Sequence, residues 1–142
     1  MLIGRYMIVQ RKKLNIQINR LKLAKLCRKC GITLVVLHGS YTRGYFTKES
    51  DVDVGFLGNA RKIKGRYFKV ISKLGELFGD KFDPVFLNNA ETMIVRQVAL
   101  YGIPLYEKKK GLFNAFRTTA ISRYQDAVKF RRLEELYLQR NI

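Results

Sequence analysis

The sequence is poor in the residues that build metal–sulfur, disulfide and multi-histidine sites. It has one histidine, His38, and two cysteines, Cys27 and Cys30, in a lone CxxC. A four-ligand zinc site within one chain needs more donors than these. A thioredoxin-like pair would open a helix that follows a strand, whereas this one falls at the end of a helical pattern, just before Gly31. Both cysteines therefore read as partly buried, inert thiols. His38 closes an apolar run beside Gly39 and reads as packed or hydrogen-bonded near a site rather than as a metal ligand. No run approaches ~18 consecutive apolar residues, which argues against a membrane span. The opening "MLIGRYMIVQRKK" carries its basic cluster after its short apolar run and has no small-residue cleavage site, so it does not read as a secretory signal. A soluble, cytoplasmic protein is expected. Acidic residues are also scarce: 11 Asp and Glu stand against 28 Lys and Arg, a net charge of +17. Such a field favours anionic partners (nucleotides, RNA or an acidic protein) and disfavours a cationic small-molecule acceptor.

A chain of 142 residues fits one domain, residues 1–142, large enough to bury its own core. Residues 1–12 show no clean period and read as an extended arm. "KLNIQIN" alternates like a strand, but Leu23, Leu26, Cys27 and Cys30 continue at helical spacing, so most of 13–29 is read as a helix capped by Gly31. "ITLVVLH" is a β-branched apolar run and a buried strand. "DVDVGFL" is a second strand, with Asp51, Asp53 and Gly55 on one face and Val52, Val54 and Phe56 on the other. Ile63, Tyr67, Val70, Ile71, Leu74 and Phe78 give one amphipathic helix. "KFDPVFL" is a third strand, whose Pro84 suggests an edge position or a point where a ladder bond is missing. "ETMIVRQVALYG" is a helix closed by Gly102, "IPLYE" is a short extended piece, and residues 111–142 form a C-terminal helix. The order predicts an α/β (α+β) fold, a small mixed sheet backed by helices. Only twelve residues separate the first two strands, so they can lie as antiparallel neighbours, which brings Ser40 opposite Asp51 and Asp53.

Aspartate is a poor strand former, yet here it takes every other position of an apolar run. Side chains two apart on a strand leave the same face ~6 to 7 Å from each other. Two carboxylates so close repel unless a cation shares the site. Asp83 is a third strand-borne carboxylate flanked by apolar residues. Asp51, Asp53 and Asp83 together suit a hard divalent cation such as Mg2+, which takes carboxylates plus substrate phosphate oxygens. Gly39 and Ser40 supply the phosphate side: the glycine allows close backbone approach, the hydroxyl and N–H groups donate to anionic oxygens, and Arg43 adds charge.

"HGSYTRGYFTKESDVDV" resembles the signature of the DNA polymerase beta superfamily of nucleotidyltransferases, in which Gly-Ser precedes an Asp-x-Asp pair. The ten-residue spacing and compact length resemble its minimal nucleotidyltransferases, many of them encoded beside a HEPN-domain protein. "FDPVFLNNA", "RQVALYGIPLYE" and "ISRYQDAVKFRR" extend the likeness over most of the chain after about residue 13. The resemblance implies the polymerase-beta-like fold with a C-terminal helix, Ser40 on phosphate, and two magnesium ions on Asp51, Asp53 and Asp83. It also implies transfer of AMP from ATP to a tyrosine of a HEPN toxin, silencing its ribonuclease. Two other readings stand beside it: nucleotidyl transfer to RNA, which the basic surface suits, and a non-catalytic antitoxin that occludes its partner. A homodimer and a hetero-complex are both open.

Overall fold

The computed structural model describes residues 2–3, 6–11, 14–43 and 49–141. Its first three strands, β1 (Leu2–Ile3), β2 (Tyr6–Arg11) and β3 (Leu14–Asn19), form an antiparallel meander. The stretch expected as an arm is thus extended but paired, and β3 takes what was expected as the first turns of a helix. The alternation of Leu14, Ile16 and Ile18 wins because β2 supplies a partner over the whole length of β3, from Tyr6↔Asn19 to Arg11↔Leu14. Ile18 is fully buried. Asn19 then turns the chain, its side-chain oxygen accepting from the Lys22 N–H at 3.1 Å as the N-cap of α1 (Arg20–Cys30). Gly31 ends that helix in the left-handed conformation, φ 78°, and its N–H donates to the Cys27 carbonyl.

β4 (Ile32–His38), the short α2 (Ser40–Arg43) and β5 (Val52–Gly58) follow. The helix expected over residues 60–78 is two, α3 (Ala60–Gly65) and α4 (Tyr67–Phe78). Gly65, a weak helix former, and Arg66 at φ −135° break the run, with the Arg66 N–H closing on the Ile63 carbonyl. β6 (Phe82–Phe86), α5 (Thr92–Tyr101), β7 (Ile103–Glu107) and α6 (Leu112–Arg140) complete the chain. The main sheet has the order β6-β5-β4-β7, with β5 and β6 parallel and the other pairs antiparallel. Pro84 lies on an edge strand, where its missing N–H costs no ladder bond.

Two apolar layers cover the sheet. On one face Val54 and Phe56 pack with Leu23 of α1, Ile63 of α3 and Val70 and Leu74 of α4. On the other, Leu34 and Val36 meet Leu87, Val98 of α5 and Phe113 of α6. Residues of β5 therefore alternate between the two layers as the period-2 pattern requires. Cys27 is buried in the first layer, which pushes its thiol up to about 12, and both cysteines are free. Burial disfavours the thiolate, so Cys27 is unreactive. The Phe113 N–H donates to the Glu107 carboxylate at 2.8 Å and ties the start of α6 to β7. Beyond Tyr124 that helix leaves the body, and Phe130 is 71% exposed. Among the described residues no helix is long and apolar enough to cross a membrane.

Leu74 is fully buried between α4 and the sheet. Leu74→Ala should cost about 2 to 5 kcal/mol, a drop of several degrees or more in melting temperature. A calorimetric scan showing a loss of under 1 °C would mean that the layer under α4 is not a packed core.

Candidate active site

The site is built by strand register. The antiparallel pairing of β4 and β5 sets His38 against Asp53, and the parallel pairing of β5 and β6 sets Asp53 against Asp83. Directly paired residues share a face, so three side chains stand abreast across three strands. Asp51 lies just before β5 and is exposed, as is Asp83, while Asp53 is half-buried between them and His38.

Asp53 and Asp83 stand at matched positions of the parallel strand pair, and a side-chain hydrogen bond between them favours the protonated form of Asp53. Burial first, then that hydrogen bond, then the charges of Asp83 and Asp51 push the Asp53 carboxyl up from 3.8 to about 6. Asp51 thus acts on Asp53 through its field. Among the described residues, however, no three His, Cys, Asp or Glu side chains are gathered closely enough to cage an ion by themselves. His38 is buried, and burial takes its imidazole down to about 4 against the opposing pull of Asp83. Burial thus favours its neutral form, and its Nε2 has no hydrogen-bond partner among the described residues.

Beyond His38 the chain bends at Gly39, whose φ of 74° lies in the left-handed region. A Cβ there would also overlap the Asp53 carboxylate, so glycine is demanded twice over. Ser40 opens α2, and Thr42 returns both its N–H, at 3.1 Å, and its hydroxyl, at 2.9 Å, to the Gly39 carbonyl. The turn is therefore closed on itself and holds Ser40 one residue from the glycine that rests on Asp53. The rest of the expected turn, Gly44 and Tyr45, lies outside the described residues. Arg43 stacks its guanidinium over the Tyr101 ring, 4.6 Å from the centroid. Tyr101, at the end of α5, was not singled out by sequence reasoning, and no local motif marks it: the contact exists because β7 brings the end of α5 alongside β4.

The pair fits a divalent cation. Two carboxylates set side by side, a third close enough to raise the Asp53 pKa and a glycine that clears room beside them form an oxygen-rich, cation-seeking donor set. The donors short of full coordination would come from phosphate oxygens of a substrate.

The family described as polymerase beta nucleotidyltransferase matches residues 21–111, which hold the turn, all three aspartates and the four strands of the main sheet. The chain belongs to that family. This nucleotidyltransferase is 29% identical over 111 residues to the protein adenylyltransferase MntA of Shewanella oneidensis, an alignment that takes in 77% of this chain and 79% of MntA. Among solved structures it is similar to a chain of a toxin–antitoxin complex with AMP-PNP, with a TM-score of 0.63 and 25% identity, over 85% of this chain and 98% of the other. It also shares its fold with a chain from the complex of tri-AMPylated Shewanella oneidensis HEPN toxin with MNT antitoxin. There the TM-score is 0.57 and the identity 23%, over 84% and 95% of the two chains.

A carboxylate whose pKa is raised by folding stabilises the fold below its unfolded value of 3.8 and loses that contribution as pH rises through about 6. Asp53→Asn, neutral at every pH, should melt higher than wild type at pH 8 in EDTA, with the gap closing toward pH 4. Divalent cation at pH 8 should raise the melting temperature of wild type and leave the variant unmoved. Identical melting curves under all of these conditions would break the link between Asp53, its partner Asp83 and the cation.

Proposed function

We propose that the protein is an ATP-dependent protein adenylyltransferase that moves AMP onto a tyrosine hydroxyl of a HEPN toxin and acts as its antitoxin. The observation that carries the chemistry is the register-matched Asp53–Asp83 pair set against the Gly39–Ser40 turn. The protein acceptor is supported by the likeness to MntA, a protein adenylyltransferase, and the adenine nucleotide by the likeness to a toxin–antitoxin structure holding AMP-PNP.

In this reading Asp51, Asp53 and Asp83 hold Mg2+, and the chemistry supplied there is neutralisation of triphosphate charge. Gly39 lets the backbone come close to the phosphates, and the Ser40 hydroxyl donates to a phosphate oxygen. The charge of Arg43, held by its stack on Tyr101, sits at the exposed end of α2, where it faces the anionic substrate. The acceptor hydroxyl oxygen attacks the α-phosphorus of ATP, the bond from that phosphorus to the bridging oxygen breaks, and pyrophosphate leaves with the electron pair. Asp83, exposed on the edge strand, takes the hydroxyl proton. His38, neutral and buried, packs behind the carboxylates and keeps water from their inner side.

Intact-mass spectrometry of the cognate HEPN protein, incubated with this protein, ATP and Mg2+, should show one or more added AMP groups and a loss of ribonuclease activity. Asp51→Asn, Asp53→Asn and Asp83→Asn should each abolish the addition. Ser40→Ala should slow it about 10²- to 10³-fold, the usual loss for one donor to developing negative charge. An unmodified HEPN protein alongside an RNA that gains nucleotides would replace the protein acceptor with RNA.

A further inference from the structure

The positive charge is not spread evenly over the fold. α1, α3 and α4 enclose a cleft of about 50 Å³ whose walls carry Lys29, Lys62, Arg66, Lys69 and Lys73. Its floor is apolar, from Leu26, Cys30 and Val70. All five cations are exposed. Of the five, only Lys73 has a carboxylate within ion-pair reach among the described residues: Glu76, at 3.7 Å and itself solvent-exposed. The cluster is assembled by tertiary packing. Lys29 arrives from α1, Lys62 from α3, Arg66 from the break that turns α3 into α4, and Lys69 and Lys73 from successive turns of α4. The Lys62 stem lies against Gly31, where a Cβ would come within 2.9 Å of it, so the lysine is laid across the end of α1 toward the cleft.

Five like charges on one small surface repel one another, and the fold supplies almost nothing to offset this. A polyanion would. We propose that this cleft is a docking surface for a nucleic-acid phosphate backbone, separate from the transfer site. Two features favour nucleic acid over an acidic protein. Protein-binding surfaces are depleted of lysine and anchored by aromatic side chains in pockets, whereas this cleft is lysine-dominated, has no aromatic wall and is too small to take an anchor. Four lysines to one arginine also means point charges rather than the planar fork that reads base edges or grips a carboxylate with two bonds, so binding should be indifferent to sequence. The cleft lies on the α1 and α4 side of the sheet. Asp53 points to the opposite side, with Gly55 and Leu57, so a strand bound here leaves the carboxylates open.

The test uses the full chain without ATP, which keeps it independent of the transfer reaction. Fluorescence anisotropy with labelled 20-nucleotide RNA and DNA of one sequence, across a potassium chloride series, should show log affinity falling linearly with log salt. The slope should be about −0.7 per neutralised phosphate, hence roughly −3.5 for five contacts. The relative strength of the RNA and DNA arms identifies the natural source. Replacing Lys29, Lys62, Arg66, Lys69 and Lys73 with Gln should weaken binding at least about tenfold at 0.1 M salt and flatten the slope. It should leave the melting temperature intact, since all five side chains are exposed. The control removes the same charge elsewhere, with Arg117, Arg123, Lys129, Arg131 and Arg132 of α6 changed to Gln. An α6 variant that loses as much affinity as the cleft variant would show diffuse attraction and overturn the proposal. Displacement of labelled RNA by polyglutamate as readily as by unlabelled RNA would assign the cleft to an acidic protein instead.

Discussion

Everything distinctive about this fold turns on setting two carboxylates side by side in a parallel strand pair. Asp53 and Asp83 occupy matched positions of β5 and β6, half-buried and exposed respectively, and burial together with the neighbouring carboxylates raises the Asp53 carboxyl to about 6. Such a pair works against stability at neutral pH, so the surrounding structure has to hold it. It does so with β-branched and aromatic packing immediately beyond: Val54 is fully buried, and the Phe56 and Phe86 rings stack at 5.4 Å one turn of the pleat further on. The rigid part of the sheet lies directly under its least favourable part.

That constraint propagates outward. Because β5 is flanked by β6 on one side and β4 on the other, whatever follows β4 must turn away over the carboxylates. Only a residue without a side chain can make that turn against Asp53, and only a left-handed backbone redirects the chain into α2. The Gly-Ser pair is therefore tied to the second aspartate by contact as well as by chemistry. The same crossing explains the burial of His38. It is the last β4 residue before the turn, level with Asp53, and its buried Nε2 has no hydrogen-bond partner among the described residues.

The strands of the main sheet and their faces were legible in the sequence because each is a local pattern of alternation or a β-branched run, and Pro84 pointed to an edge as one of two readings for β6. The three aspartates and the Gly-Ser turn were legible for the same reason. The adjacency of Asp53 and Asp83 was not, since thirty residues and two helices separate them and only the parallel register brings them level. Residues 14–19 were misread because Leu23, Leu26 and Cys27 carry a strong helical period, and the partner that makes Leu14–Asn19 a strand lies in the less regular stretch before it. The break at Arg66 was hidden by apolar spacing that continues in phase across it, with Ile63 and Val70 both buried in one layer. The basic cleft was invisible as a site: its lysines come from three helices, and composition shows only their sum.

The exposure of the carboxylates bears on what can be modified. Asp53 is the inner member, while Asp83 and Asp51 are exposed, Asp83 on the edge strand β6. An enzyme for a small acceptor needs an enclosing pocket, because a small molecule contributes little binding surface of its own. An open edge serves an acceptor that brings its surface with it, and the positioning worth ~7 to 11 kcal/mol of the barrier is then supplied by docking of two folded bodies rather than by a cavity. The exposed carboxylates and the closed Gly39 turn would divide the work of the proposed reaction in that way, with the nucleotide held from the β4 side by short, fixed groups and the hydroxyl reaching Asp83 from the β6 side.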